Sequence, residues 1–313
     1  MIRAHMNQAG SPKVSVIITT FNRAGLLPRA VKSALAQTFS NYEVIIVDDC
    51  SPDNTQDVIA RFTDSRIRSI RHETNKRQSA AINTGIANAR GECVAFLDDD
   101  DEWLPTKLEK QVEILDSSPP GVGLVYGWVD EIDDSTGRLI SSYHETVEGD
   151  IFEYTLNLGL PAPTSALLVR SDVCREVGGF DERLTRGNDN DFICRIARQW
   201  HAAVVPEVVA KLHIEHGRIR QGDDTEARRL GEVNFLRTHL EKHGDELRRH
   251  SLYAHTLRRL AASEMRSGAF GQSLLTVMRS MKSDPVGAPL ALLRHRHRVA
   301  ALCSYVMRRG LKN

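Results

Sequence analysis

Three runs of apolar residues, Val14-Ser15-Val16-Ile17-Ile18, Glu43-Val44-Ile45-Ile46-Val47 and Cys93-Val94-Ala95-Phe96-Leu97, each give way at the carboxyl end to a cluster of polar side chains. Runs without polar alternation belong to strands buried on both faces, and such strands pair into parallel sheets covered by helices. Between them lie segments of helical periodicity, Leu26 to Gln37, Thr55 to Phe62 and Ser79 to Ala89, and a shorter strand, Ile67 to Ile70. This βαβ rhythm predicts an α/β domain with a mostly parallel sheet and helices on both faces. Ligands of open α/β sheets sit at the carboxyl ends of the strands. There the chain places Thr19-Thr20-Phe21-Asn22-Arg23, Asp48-Asp49-Cys50-Ser51-Pro52-Asp53 and Asp98-Asp99-Asp100-Asp101-Glu102.

The last of these clusters sets five consecutive carboxylates on the end of an apolar strand, where they repel one another unless something positive is bound. A divalent cation with oxygen ligands answers that need. The same residues would also suit a solvated acidic turn before a helix starting near Pro105, since Asp is favoured ahead of helix N-termini. Asp48 and Asp49 divide similarly: a carboxylate can read an imide N–H of a pyrimidine base, or Asp48 can cap a turn with Ser51.

Beyond the acidic run the pattern predicts a helix from Lys107 to Leu115, strands at Val122–Tyr126 and Ala166–Val169, a hairpin or loop through the polar segment Asp130 to Asp150, and a helix from Asp191 to Trp200. After about Thr225 only helical spacing remains, including an apolar stripe of Leu274, Leu275, Val277, Met278 and Met281. The chain is neutral as a whole, but residues 225–313 hold 17 Lys+Arg against 7 Asp+Glu while the remainder holds 24 against 34. Five scattered cysteines without CxxC spacing, Cys50, Cys93, Cys174, Cys194 and Cys303, favour a reducing cytoplasm. The first residues lack the apolar core of a signal peptide, and no stretch has the ~18 apolar residues of a spanning helix. The division expected is a disordered lead-in over 1–12, a catalytic domain over 13–224 with halves 13–104 and 105–224, and a helical region over 225–313.

Taken in order, these segments, together with Gln37-Thr38-Phe39, Ala81-Ile82-Asn83-Thr84-Gly85 and Gly178-Gly179-Phe180-Asp181-Glu182, resemble the family 2 glycosyltransferases. The resemblance covers roughly Lys13 to Gly217. It implies the GT-A fold, a Rossmann-like sheet, and an inverting transfer from a nucleotide-diphosphate sugar, a UDP-sugar for preference, to a hydroxyl of a glycan or lipid-linked glycan. By match to the family's motifs, Asp98 falls near the ribose and Asp100 on a Mn²⁺ or Mg²⁺ ion bridging the phosphates, with Asp99 and Asp101 assisting or solvated. Asp49 reads the base, Thr19 and Asn22 line base and ribose, and Arg77 approaches the diphosphate. Asn83 and Gly85 serve helix packing. Where the family commonly carries Glu-Asp-x-Asp, this chain reads Asn188-Asp189-Asn190-Asp191, which makes Asp189 the general base and leaves Asp191 as the expected helix N-cap. Late histidines that reach the metal or diphosphate correspond to His213 and His216.

The chain lacks the Gln-x-x-Arg-Trp element of processive synthases, so single addition follows. A dehydrogenase is excluded because no Gly-x-Gly-x-x-Gly follows the first strand. A catalytically silent nucleotide-sugar-binding module stays open as the alternative, since Asn188 replaces the family's Glu. The basic tail admits three readings: docking on the cytoplasmic face of a membrane, an accessory cap with solvated arginines, or a homodimer surface. Nucleic acid is not expected, because the aromatic interleaving of single-strand binders is missing there.

Overall fold

The computed structural model describes residues 11–214 and 225–284. The chain divides into two compact units, residues 1–218 and 219–313.

The first unit opens with β1 (Val14–Thr20), α1 (Leu27–Leu35), β2 (Tyr42–Asp48), α2 (Thr55–Ala60), β3 (Ile67–Arg71), α3 (Gln78–Asn88) and β4 (Cys93–Asp98). β1 to β4 are mutually parallel in the spatial order β3-β2-β1-β4. Every residue of β1 and β2 is buried, which requires cover on both faces of the sheet. Gly85 of α3 supplies part of that cover: a Cβ there would stand 2.5 Å from Ile17 Cγ2, so only glycine lets the helix lie this close to β1.

The sheet then changes character. After β5 (Asp101–Trp103) and α4 (Lys107–Ser117), β6 (Val122–Asp133) and β7 (Leu139–Tyr143) form an antiparallel hairpin out of the polar segment. A short helix, α5 (Phe152–Leu156), and a 3-10 turn over Thr164–Ala166 lead to β8 (Leu167–Arg170), α6 (Ser171–Glu176), α7 (Asn188–Ala197) and β9 (His201–Ile214). β8 lies antiparallel between β4 and β6, β9 runs parallel to β6, and β5 closes the edge antiparallel to β9. Neither β5 nor β9 is among the strands expected from the sequence pattern. Pro206 interrupts the pattern of β9, whose pairing with β6 shifts register at Gly127/Trp128. β5, three residues long, exists only through its pairing with β9.

In the second unit, α8 (Thr225–Arg249) is interrupted at His243, whose φ of −122° is non-helical, and α9 (Tyr253–Arg266) and α10 (Phe270–Ser283) follow. Among the described residues no helix is long and apolar enough to cross a membrane, and Cys50, Cys93, Cys174 and Cys194 are free thiols.

Candidate active site at the carboxyl rim of the sheet

Parallel register brings the polar strand ends together. Thr20 of β1 lies beside Asp48 of β2, and Thr19 lies beside Asp98 of β4. The loops after β1 and β2 are tied to each other: the Asn22 N–H donates to Ser51 Oγ at 2.9 Å and the Ala24 N–H to Asp53 at 3.0 Å. Asn22 stands exposed in the left-handed region at φ 56°, a conformation Asn tolerates. Asp48 is fully buried and accepts the Ser51 N–H at 2.9 Å and the Gln56 amide at 2.5 Å, which makes it the turn cap.

Asp49 is also buried, and its two oxygens gather the loop before α3, accepting from the Lys76 and Arg77 N–H groups at 2.8 and 2.7 Å and meeting His72 Nδ1 at 2.7 Å. A carboxylate has about four acceptor positions, so one remains for a further donor. Arg77 holds φ 73° as it enters α3, and its side chain is exposed.

The acidic run does not form a single loop. Asp98 ends β4, Asp99 and Asp100 make the turn, and Asp101 starts β5. Ser165, from the 3-10 turn, pins both sides: its Oγ accepts the Asp98 N–H at 3.1 Å and donates to Asp101 Oδ2. The Trp103 indole N–H holds the Ser165 carbonyl at 2.7 Å. Beneath, the wholly buried Lys107 lies 4.1 Å from the Trp103 ring centre, and burial drives its pKa far below the usual lysine range. Gln37 and Thr38 secure the exit from the turn, Gln37 by accepting the Leu108 N–H and donating to the Leu104 carbonyl, and Thr38 by donating its N–H to the Pro105 carbonyl.

One oxygen from each of Asp98, Asp100 and Asp101 lies within 4.8 Å of the other two. An all-oxygen donor set of this span fits a hard divalent cation, with Mg²⁺–oxygen distances of about 2.0–2.1 Å. Asp101, given only a supporting or solvated place by the sequence, is 4% exposed and joins this group. Asp99 turns to Arg23, whose Nη1 donates to Asp99 at 2.9 Å and to Asp100 at 2.8 Å. Burial, then the neighbouring Asp100 and Asp99 charges, pushes the Asp98 carboxyl up to about 7; burial pushes Asp99 up to about 6 against the pull of Arg23. The missed signal for Arg23 was electrostatic: five carboxylates call for a cation, and β1, whose exit loop carries this guanidinium, is the parallel neighbour of β4.

The N-terminus of α3 connects this cluster with the expected base. Gln78 donates to Asp98 at 3.0 Å, and the adjacent Ser79 Oγ accepts from the Asn188 amide at 3.2 Å. Asp189 sits in the first turn of α7, its carboxyl accepting the Asn190 N–H at 2.8 Å, and burial raises its pKa. Asp191 is not the N-cap. The helix begins three residues earlier, after Gly187 at φ 65°, and the Asp191 carboxylate pairs with Arg195 Nε at 2.9 Å. Asn83 clamps the Gly178-Gly179-Phe180 turn through both amide atoms, a packing role. His213 has Nδ1 2.9 Å from Asp134 and Nε2 3.2 Å from Glu102, the residue after Asp101. His216 lies outside the described residues.

With this rim in view the class is defined: the chain belongs to glycosyl transferase family 2, whose model matches residues 15–173. An uncharacterized glycosyltransferase of Nostoc sp. is 40% identical over 176 residues, 54% of each chain. The chain thus spans about half the length of that relative. Succinoglycan biosynthesis protein ExoO of Rhizobium meliloti is 30% identical over 72% of this chain and 68% of its own. The UDP-Glc:alpha-D-GlcNAc-diphosphoundecaprenol beta-1,3-glucosyltransferase WfaP of Escherichia coli is 40% identical over 104 residues, 33% of this chain and 41% of its own. Among solved structures, the mannosyltransferase PcManGT of Pyrobaculum calidifontis, in complex with GDP-Man and Mn²⁺, shares the fold at TM-score 0.58 and 18% identity over 97% of this chain and 88% of its own. S. aureus TarS 1-349 in complex with UDP-GlcNAc does so at TM-score 0.57 and 22% identity, over 82% of this chain and 73% of its own.

Proposed function

We propose that the chain moves a sugar from a nucleotide-diphosphate sugar, a UDP-sugar in the first instance, to a hydroxyl of a glycan or lipid-linked glycan, with inversion and one addition at a time. The observation that carries this reading is the grouping of Asp98, Asp100 and Asp101 at the end of β4, joined through Gln78 and Ser79 to the helix turn that bears Asp189. The named activity of the Escherichia coli relative supports the choice of uridine nucleotide and lipid-linked acceptor.

Asp98, Asp100 and Asp101 would hold a divalent cation, Mn²⁺ or Mg²⁺, which when bound supplies Lewis-acid neutralisation of the leaving diphosphate. Thr19, Asn22 and the remaining acceptor position of Asp49 line the base and ribose, and the exposed Arg77 meets the diphosphate. Asp99 keeps Arg23 beside the cluster, where its guanidinium balances the acidic turn before the donor arrives. Asp189 takes the proton of the attacking hydroxyl. Its raised pKa makes it a stronger base than an exposed aspartate, and direct displacement from the acceptor side inverts the anomeric centre.

The test is a thermal-shift series with UDP, dTDP and GDP, each with and without Mn²⁺, followed by transfer to a lipid-linked acceptor. A metal-dependent rise in Tm with UDP that disappears in Asp100→Ala is the expected result. No shift with any nucleoside diphosphate would overturn the reading.

A further inference from the structure

Helix α10 is built inside out. The side that packs within the helical unit carries small hydroxyl residues, Ser273, Thr276 and Ser280, none more than 4% exposed. Their side chains donate to the Ala261 carbonyl, the Glu264 carboxylate and the Ala254 carbonyl of α9. The large apolar side chains face the other way: Leu274 is 38%, Leu275 54%, Met278 59% and Met281 41% exposed. Leu274, Met278 and Met281 recur at i, i+4 and i+7, so they line one stripe. Leu275 extends it toward Lys282, seven residues further along the same side, while Arg279 stands at the edge of the stripe, exposed but donating to the Tyr253 hydroxyl of α9 at 3.3 Å. A rimmed apolar patch of this kind marks an interaction surface.

We propose that this face seats on an anionic lipid surface, with α10 lying in the headgroup plane, its leucines and methionines among the acyl chains and Lys282 on the phosphates. At 14 residues the helix is too short to span a bilayer, which takes about 20. The charge pattern selects a membrane over a second copy of the chain. α10 contains no acidic residue, and an isologous contact would bring like charges together at its edge. Past Asp284, which pairs with Arg258, residues 285–313 hold six Lys+Arg and no Asp or Glu, the composition that anionic headgroups attract. The proposal deepens the lipid-linked acceptor reading, on which its purpose rests, although its residues lie outside the proposed transfer site.

The experiment is co-sedimentation of the full chain with phosphatidylcholine vesicles, with and without phosphatidylglycerol, in the absence of donor and acceptor. Wild type should pellet with the anionic vesicles and release as salt rises. Leu275→Gln/Met278→Gln should lower the partition coefficient by about tenfold or more, through lost apolar insertion. Lys282→Gln should lower it by about fivefold. Circular dichroism and Tm identify any variant that fails to fold, and the lysine variant then carries the test. Wild type that stays in the supernatant overturns the proposal. So does undiminished binding by a folded Leu275→Gln/Met278→Gln, or a wild-type dimer that this variant dissociates without any vesicle binding. Vesicle binding without transfer to a lipid-linked acceptor would fault the function reading alone; transfer without vesicle binding would fault only this one.

Discussion

In β4 the apolar residues Val94, Ala95, Phe96 and Leu97 are at most 1% exposed, whereas in α10 Leu274, Leu275, Met278 and Met281 are between 38% and 59% exposed. Both segments read as apolar runs in the sequence, and their opposite fates follow from their neighbours. β4 lies between β1 and β8, and the rings of Phe96, Phe180 and Phe192 pack against one another beside it. α10 meets a surface of α9 that offers acceptors: the buried Glu264 carboxylate, which takes one hydrogen bond from Arg237, takes another from Thr276, and the Ala254 and Ala261 carbonyls take serine hydroxyls. A polar partner surface selects the hydroxyl side of the helix for burial, and the apolar side is left outward.

The sharpest way to separate the two regions is chemical. Asp189→Asn should lower turnover about 10²- to 10⁴-fold and leave the nucleotide-dependent Tm shift unchanged, whereas changes on α10 should leave turnover on a soluble acceptor analogue unaltered. With Asp189 in the proposed role of base, wild-type kcat/KM should fall as pH drops through its pKa, because the base must be unprotonated. Burial raises that pKa, so the acid limb should lie above the position of an ordinary aspartate, and a pH–rate profile reads it directly.

Stability should divide along the same line. Leu97→Ala opens a cavity in β4 and should cost about 2–5 kcal/mol in denaturant unfolding. Ser165→Ala releases Asp101 and the Asp98 N–H, and should weaken Mn²⁺ binding about 10- to 100-fold by direct titration. Within α10 the usual order reverses. Ser280→Leu overpacks the buried side and should cost about 1–3 kcal/mol, while Met278→Gln on the exposed side should stay within about 0.5 kcal/mol. If Met278→Gln destabilises more than Ser280→Leu, the inside-out description of the helix fails.

Much of the rim was legible beforehand because its signals are local. An uninterrupted apolar run specifies a strand buried on both faces, and parallel strands deliver their polar ends to one edge, so Thr19, Asp49 and Asp98 could be placed together from the chain alone. Arg23 lay within that rim cluster, but its pairing with the acidic turn could be found only through the charge it answers; Ser165 acts on the turn from a distant segment with no distinguishing neighbour in sequence. Asp191 looked like a cap because its place in the helix depends on Gly187 adopting a left-handed conformation, which fixes where α7 starts.

By itself the sequence determined the parallel half of the sheet, the polar rim and the family. Tertiary structure alone decided which carboxylates converge. Asp101 joins Asp98 and Asp100 because β5 folds back to pair with β9, while Arg23, from the loop after β1, pairs with both Asp99, outside the group, and Asp100, within it. It also decided which way α10 faces. Hydropathy reports how strongly a side chain avoids water; which side of a helix is enclosed depends on the hydrogen-bonding needs of the surface it meets.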